Sequence, residues 1–168
     1  CLVKESQSAH NKPPSGLVKA TVFTAAWVFL TMMSGGFVAG LDAGLTYNTF
    51  PLMDGHLVPE GLMANSPWYL NFFENITTVQ FDHRILAEST LVLVTYVWWV
   101  ARKNDLPLNT RTAFHALFAM VIIQVALGIT TLLMVVPITY ASLHQAGSLV
   151  LFTFALWAVH SLLGKAYN

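Results

Sequence analysis

"TAFHALFAMVIIQVALGITTLLMVV", residues 112–136, runs for 25 positions without one Asp, Glu, Lys or Arg. The hydrocarbon core of a bilayer is about 30 Å thick and takes about 20 apolar residues to cross as a helix, so this stretch reads as a membrane span. Its polar residues Gln124, Thr130 and Thr131 must turn inward or bond a neighbouring helix, because an unpaired polar group is costly in hydrocarbon. Working outward, three further runs of similar length stand at about residues 17–41, 78–100 and 138–163. Each is apolar nearly all round, unlike a helix on the surface of a water-soluble domain. The expected fold is therefore all-α, an integral membrane four-helix bundle over residues 17–168, preceded by a polar leader or linker at residues 1–16, "CLVKESQSAHNKPPSG". That leader lacks the charged-then-apolar layout of a signal peptide, and it begins with Cys instead of Met. The expectation is a piece of a longer protein whose start lies upstream.

Composition agrees with lipid as the main solvent: 55% of residues are hydrophobic and only 10% charged, against about 25% charged in an ordinary soluble domain. Eight Lys plus Arg balance eight Asp plus Glu, so there is no basic excess to suit a nucleic-acid partner. Cys1 is the only cysteine, which excludes a disulfide framework and a Cys-based metal site within the chain. Lys19, Arg102, Lys103, Arg111 and Lys165 all fall on one side of the four spans. Basic residues collect on the cytoplasmic or matrix side, so both termini are expected there. The opposite side carries residues 42–77, with Asp42, Asp54, Glu60 and Glu74, and the short turn around Pro137. Within it, "NSPWYLNFFEN" at 65–75 suggests a short helix on the membrane surface, with Ser66 as N-cap, Pro67 at the first helical position and Trp68, Tyr69, Phe72 and Phe73 toward lipid. Asn75-Ile76-Thr77 matches a glycosylation sequon, but a cap or turn ahead of the second span is the preferred role.

"ENITTVQFDHRILAES", residues 74–89, places a histidine at the entrance of that span. With a start near Thr78, His83 lies roughly 7 Å along the axis; His144 lies roughly 9 Å into the fourth span at the same rise per residue. Both helices run in the same direction, separated by one return helix, so the two rings can meet at one level. Ala87 follows His83 at plus four, and Gly147 and Ser148 follow His144 at plus three and plus four, leaving room on those stripes for a flat, wide ligand. A haem suits this set: its iron takes axial imidazoles, its macrocycle lies among helices, and Arg84 stands where a propionate emerges. A bare zinc or copper ion asks for three or four protein ligands. The plainer reading of either ring alone is a hydrogen-bonded packing residue. His10, His56, His115 and His160 do not share the pattern and read as packing or solvated residues. Gly36 and Gly40, with Gly35 alongside, have the spacing that lets transmembrane helices approach closely, and Gly128 can do the same on the third span.

Four segments in order, "SGGFVAGLDAGLTYNTFPLMDG", "ENITTVQFDHRILA", "QVALGITTLL" and "LHQAGSLVLF", closely resemble the haem A synthase family. The resemblance covers about residues 17 to 163. It implies an oxidoreductase of eight spans in two similar halves, which oxidises a methyl group of haem O to the formyl group of haem A for cytochrome oxidase assembly. The chain resembles the second half, where the family holds a haem b cofactor between two histidines; by motif these are His83 in "QFDHR" and His144 in "LHQAG". Substrate haem O and the catalytic glutamate belong to the other half, and no catalytic residue is expected here. Gln80 occupies the place of that glutamate, and a neutral amide cannot act as a base. Asp82 does not replace it, because adjacent helical positions point roughly 100° apart. The implied partners are the lipid bilayer, haem O and haem A, the other four-helix half, haem O synthase, an electron donor and a second copy of the chain, in a bacterial inner or mitochondrial inner membrane. A cytochrome b-like electron carrier is the alternative from another class, and it would use the same two histidines.

Overall fold

A computed structural model describes residues 13–164; Cys1, His10 and Lys165 lie outside them, as does most of the leader. Four long helices dominate: α1 (Ser15–Gly40), α3 (Ile76–Arg102), α4 (Leu108–Leu133) and α5 (Ile138–Leu163), with a single-turn helix α2 (Asn71–Glu74) ahead of α3. Each long helix is long and apolar enough to cross a membrane. Pro14, Pro107 and Pro137 stand immediately before α1, α4 and α5, where a fixed φ and a missing N–H cost nothing. The start of α3 is set differently. Asn75 there accepts the Thr78 N–H at 3.0 Å, and its amide donates to the Gly61 carbonyl. That buried side chain, whose amide also donates to the Asn71 Oδ1 at 3.1 Å, is an N-cap, which leaves no free amide for a sugar.

The helices form a square. α1 packs on α3 and α5, and α4 packs on the same two, so α3 and α5 face one another across a diagonal. The contiguous apolar core fills only one end of this square. It runs from Leu17 to Val28 on α1, begins at Val94 on α3, stops at Val121 on α4 and begins at Leu151 on α5. The other half, toward the 41–75 segment, buries polar residues such as Thr90 and Gln124 instead. Large side chains on the outward faces, including Phe23, Val92, Ile122 and Leu149, are exposed, which is the arrangement a lipid solvent favours.

The long segment folds back on the helix ends. Asn48 donates to the Gly44 and Leu132 carbonyls at 2.7 and 3.0 Å, tying the segment to the last turn of α4. Val135 and Val136 between α4 and α5 take left-handed conformations, φ 61° and 55°, which is strained for β-branched residues. The Val136 N–H donates to Thr131 at 2.8 Å, and a Cβ on Gly44 would stand 3.1 Å from the Val136 side chain, so the bare glycine lets the segment seat closely there.

Ser66 does not cap the surface helix. Pro67 is the residue before a 3₁₀ turn at Trp68–Leu70, with no side-chain cap, and the turn is held from inside by Asn71. This fully buried amide accepts from the Asn65 N–H at 2.8 Å and donates to the carbonyls of Asn65 and Trp68 at 2.9 and 2.7 Å. Asn71→Leu removes these three contacts and the bond that its Oδ1 accepts from the Asn75 amide at 3.1 Å, while keeping the volume. Each buried group left unpaired costs about 1–3 kcal/mol, so the expected result is opening of the 61–75 segment, read as faster limited proteolysis there with the helical content unchanged.

Candidate functional site

His83 lies seven residues into α3 and His144 six into α5, so the two rings sit about 10 and 9 Å down their helices at 1.5 Å per residue. They occupy one layer on the diagonal of the square. The adjacent helices complete the layer from the opposite direction. Gly35 and Gly128 each stand five residues before the end of α1 and α4. A Cβ on Gly35 would come within 3.1 Å of the His83 Cε1, and one on Gly128 within 3.0 Å of the His144 Cε1. Each imidazole therefore rests its edge on a bare backbone patch of the helix beside it.

The hydrogen bonding of the two rings differs. His83 Nδ1 is 2.8 Å from the Ser34 Oγ, which in turn lies 2.7 Å from the Thr31 carbonyl. His144 Nδ1 is buried with no hydrogen-bond partner; the Gln124 carbonyl lies toward it without meeting hydrogen-bond geometry. Among the described residues, no three His, Cys, Asp or Glu side chains converge on a metal position. Two imidazoles at one level are fewer protein donors than a bare zinc or copper ion takes.

The remaining sequence candidates surround this layer in different roles. Arg84 donates to the Thr49 carbonyl at 2.9 Å and the Tyr47 carbonyl at 2.8 Å, and its buried Nε has no partner. Gln80 donates to the same Tyr47 carbonyl at 3.0 Å, with its Oε1 buried and unpaired. Both side chains thus pin the loop over the mouth of the layer. Ala87 is half-buried one turn beyond His83. Ser148 bonds back to the Gln145 carbonyl at 2.7 Å. Gly147 faces α4, where a Cβ would overlap the Gln124 amide and stand 3.0 Å from the Met120 methyl; its missing side chain serves the α4–α5 contact. Gly36 and Gly40 have nothing within 4 Å of a Cβ position, so the close approach expected of them falls to Gly35 instead, the residue of that cluster that turns toward α3. His115 is a packing residue, accepting from the Trp98 indole at 3.0 Å. An open apolar groove on the outer surface between α1 and α5, lined by Val22, Phe29, Phe152 and Leu156 among others, lies beyond the histidine layer.

Ser34 and the Tyr47 and Thr49 carbonyls are site components that the sequence reading did not single out, while Gly35 was named beside Gly36 and Gly40 for close helix approach. The small pair Ser34-Gly35 on α1 at the depth of His83, counted from the opposite direction, was the available signal.

Residues 2–156 match the family described as cytochrome oxidase assembly protein, COX15-CtaA. The chain belongs to that family. It is 52% identical over 147 residues to the protein named Heme A synthase from Nitrosospira multiformis, covering 88% of this chain and 41% of that one. To Heme A synthase COX15 of Homo sapiens it is 51% identical over 139 residues, 83% of this chain and 34% of that one. The chain thus spans less than half the length of these curated relatives. No solved structure matches it. Family membership and the four long apolar helices together identify an integral membrane protein.

Proposed function

We propose that this chain is the second four-helix half of a haem A synthase, an oxidoreductase that converts haem O to haem A, and that it holds one haem b between His83 and His144. The observation that carries the reading is the layer itself: two imidazoles on diagonal helices at one depth, each seated on a glycine, in the half of the bundle that the apolar core does not fill. A haem iron so ligated supplies one-electron storage between its ferric and ferrous states. The residues around it do the rest. His83 and His144 would hold the group through their Nε2 atoms, Gly35 and Gly128 admit the rings, and Ala87 with Ser148 would leave room for it inward of them. Gly147 adds the close α4–α5 contact that holds His144 in place. Arg84 keeps one guanidinium N–H unpaired near the loop, suited to a propionate.

Gln80 keeps the 41–75 segment closed over the mouth and moves no proton, since an amide is not a base near neutral pH. The chemistry on haem O belongs in this reading to the other four-helix half, and this half passes electrons to it. The orientation puts both termini on the cytoplasmic or matrix side of a bacterial or mitochondrial inner membrane, with Arg102, Lys103 and Arg111 marking that side. An electron donor, haem O synthase and further copies of the chain are the partners this reading calls for.

A reduced-minus-oxidised absorption spectrum of the full-length protein tests it. The expected result is a low-spin b-type haem present at one per chain in addition to any substrate haem, and retained in Gln80→Ala. A protein purified with no low-spin haem overturns the assignment. Loss of that haem in Gln80→Ala overturns the peripheral role given to the amide.

A further inference from the structure

We propose that Ser34 is a positioning residue for His83, receiving its Nδ1–H and so presenting Nε2 to the iron, and that the two axial histidines are consequently inequivalent. This rests on the haem reading above. Ser34 Oγ lies 2.7 Å from the Thr31 carbonyl and 2.8 Å from His83 Nδ1. A serine hydroxyl has one proton to give. In the arrangement that uses both contacts, the hydroxyl proton goes to Thr31 and the imidazole N–H goes to the hydroxyl oxygen. A neutral imidazole protonated at Nδ1 carries its lone pair on Nε2, the nitrogen that a ligand role requires.

The other pair of helices lacks this device, and the sequence shows why. α1 and α4 meet the histidines of α3 and α5 through equivalent glycines, Gly35 and Gly128. Before Gly35 stands Ser34; before Gly128 stands Leu127. The hydroxyl on one side is a hydrocarbon on the other, and His144 Nδ1 is buried without a partner. A hydrogen bond of this kind orients the ring and raises its basicity as a ligand, and its loss typically costs 10–100-fold in metal affinity. A more basic ligand favours the ferric over the ferrous iron, so His83 is the anchored donor that lowers the midpoint potential, and His144 the adaptable one.

Threonine and valine have nearly the same shape and differ by the hydroxyl, so Ser34→Thr and Ser34→Val in the full-length holoprotein isolate the hydrogen bond from packing. The expected result is that Ser34→Val retains haem about tenfold less tightly and has a raised midpoint potential, with both values returning toward the parent in Ser34→Thr. Equal potentials and affinities in the two variants overturn the proposal, whether both match the parent or both depart from it. His83→Ala measured alongside separates the two claims. If it keeps the parent spectrum, the ligand assignment itself fails; if it loses the spectrum while the Ser34 pair stays equal, only the role of Ser34 fails.

Discussion

Replacing His83 or His144 with alanine is expected to abolish the low-spin spectrum of this half and to weaken haem retention more than 100-fold, since losing a partner beyond the ligand already costs about 10–100-fold. The argument is geometric. Each ring reaches the shared layer from its own helix, and no third His, Cys, Asp or Glu converges there among the described residues, so nothing else is placed to take over as donor. The fold should survive both changes. The contiguous apolar core ends at Val28 on α1 and Val121 on α4 and begins at Val94 on α3 and Leu151 on α5, a different part of the bundle from either histidine. Helical content by circular dichroism should therefore match the parent. Added imidazole is expected to restore part of the low-spin band, because each alanine leaves a ring-shaped space beside Gly35 or Gly128. A His144→Ala protein with the parent spectrum would remove α5 from the site.

The four long helices were legible because each is an uninterrupted apolar run of membrane length, a property of consecutive residues. The depth of the two histidines was legible for the same reason: rise per residue converts position along a helix into distance. What escaped reading depended on contacts between segments far apart in the chain. Ser34 meets His83 across 49 positions, and a serine near the end of an apolar helix has many uninformative explanations. The acceptors for Arg84 and Gln80 are the backbone carbonyls of Tyr47 and Thr49, which every residue type carries, so no side-chain pattern announces them. Gly35, Gly36 and Gly40 show the limit of a spacing rule: the pattern Gly36-xxx-Gly40 is present, yet it is Gly35 that turns toward α3. Asn71 gives the same lesson for the loop, where Ser66 and Pro67 carried the familiar signature and a buried amide four residues beyond the proline took over the closure.

That one-residue difference on α1 gives the second large effect. A Cβ at Gly35 stands 3.1 Å from His83 Cε1, one at Gly128 stands 3.0 Å from His144 Cε1, and one at Gly36 meets nothing within 4 Å. At the first two positions alanine forces the ring to move by a few tenths of an ångström, and valine, with two further carbons, forces more. Overpacking of this size costs about 1–3 kcal/mol, and a functional constellation tolerates only about 0.5 Å of misplacement. Gly35→Val and Gly128→Val are therefore expected to lose the low-spin haem nearly as completely as the histidine variants, and the two alanine changes to keep it with an altered spectrum. Gly36→Ala should bind haem like the parent and be slightly more stable, because alanine is favoured over glycine within a helix by about 0.5–1 kcal/mol. Gly147→Ala is an intermediate case: the added carbon meets Gln124 and Met120, whose side chains can swing aside, so it should lower thermal stability more than it disturbs the haem. Gly35→Ala and Gly36→Ala are the same chemical change on neighbouring residues of one helix. A spectrum altered equally by both would mean that α1 matters only as a packing surface, and that the contact between its backbone and the His83 ring does not shape the site.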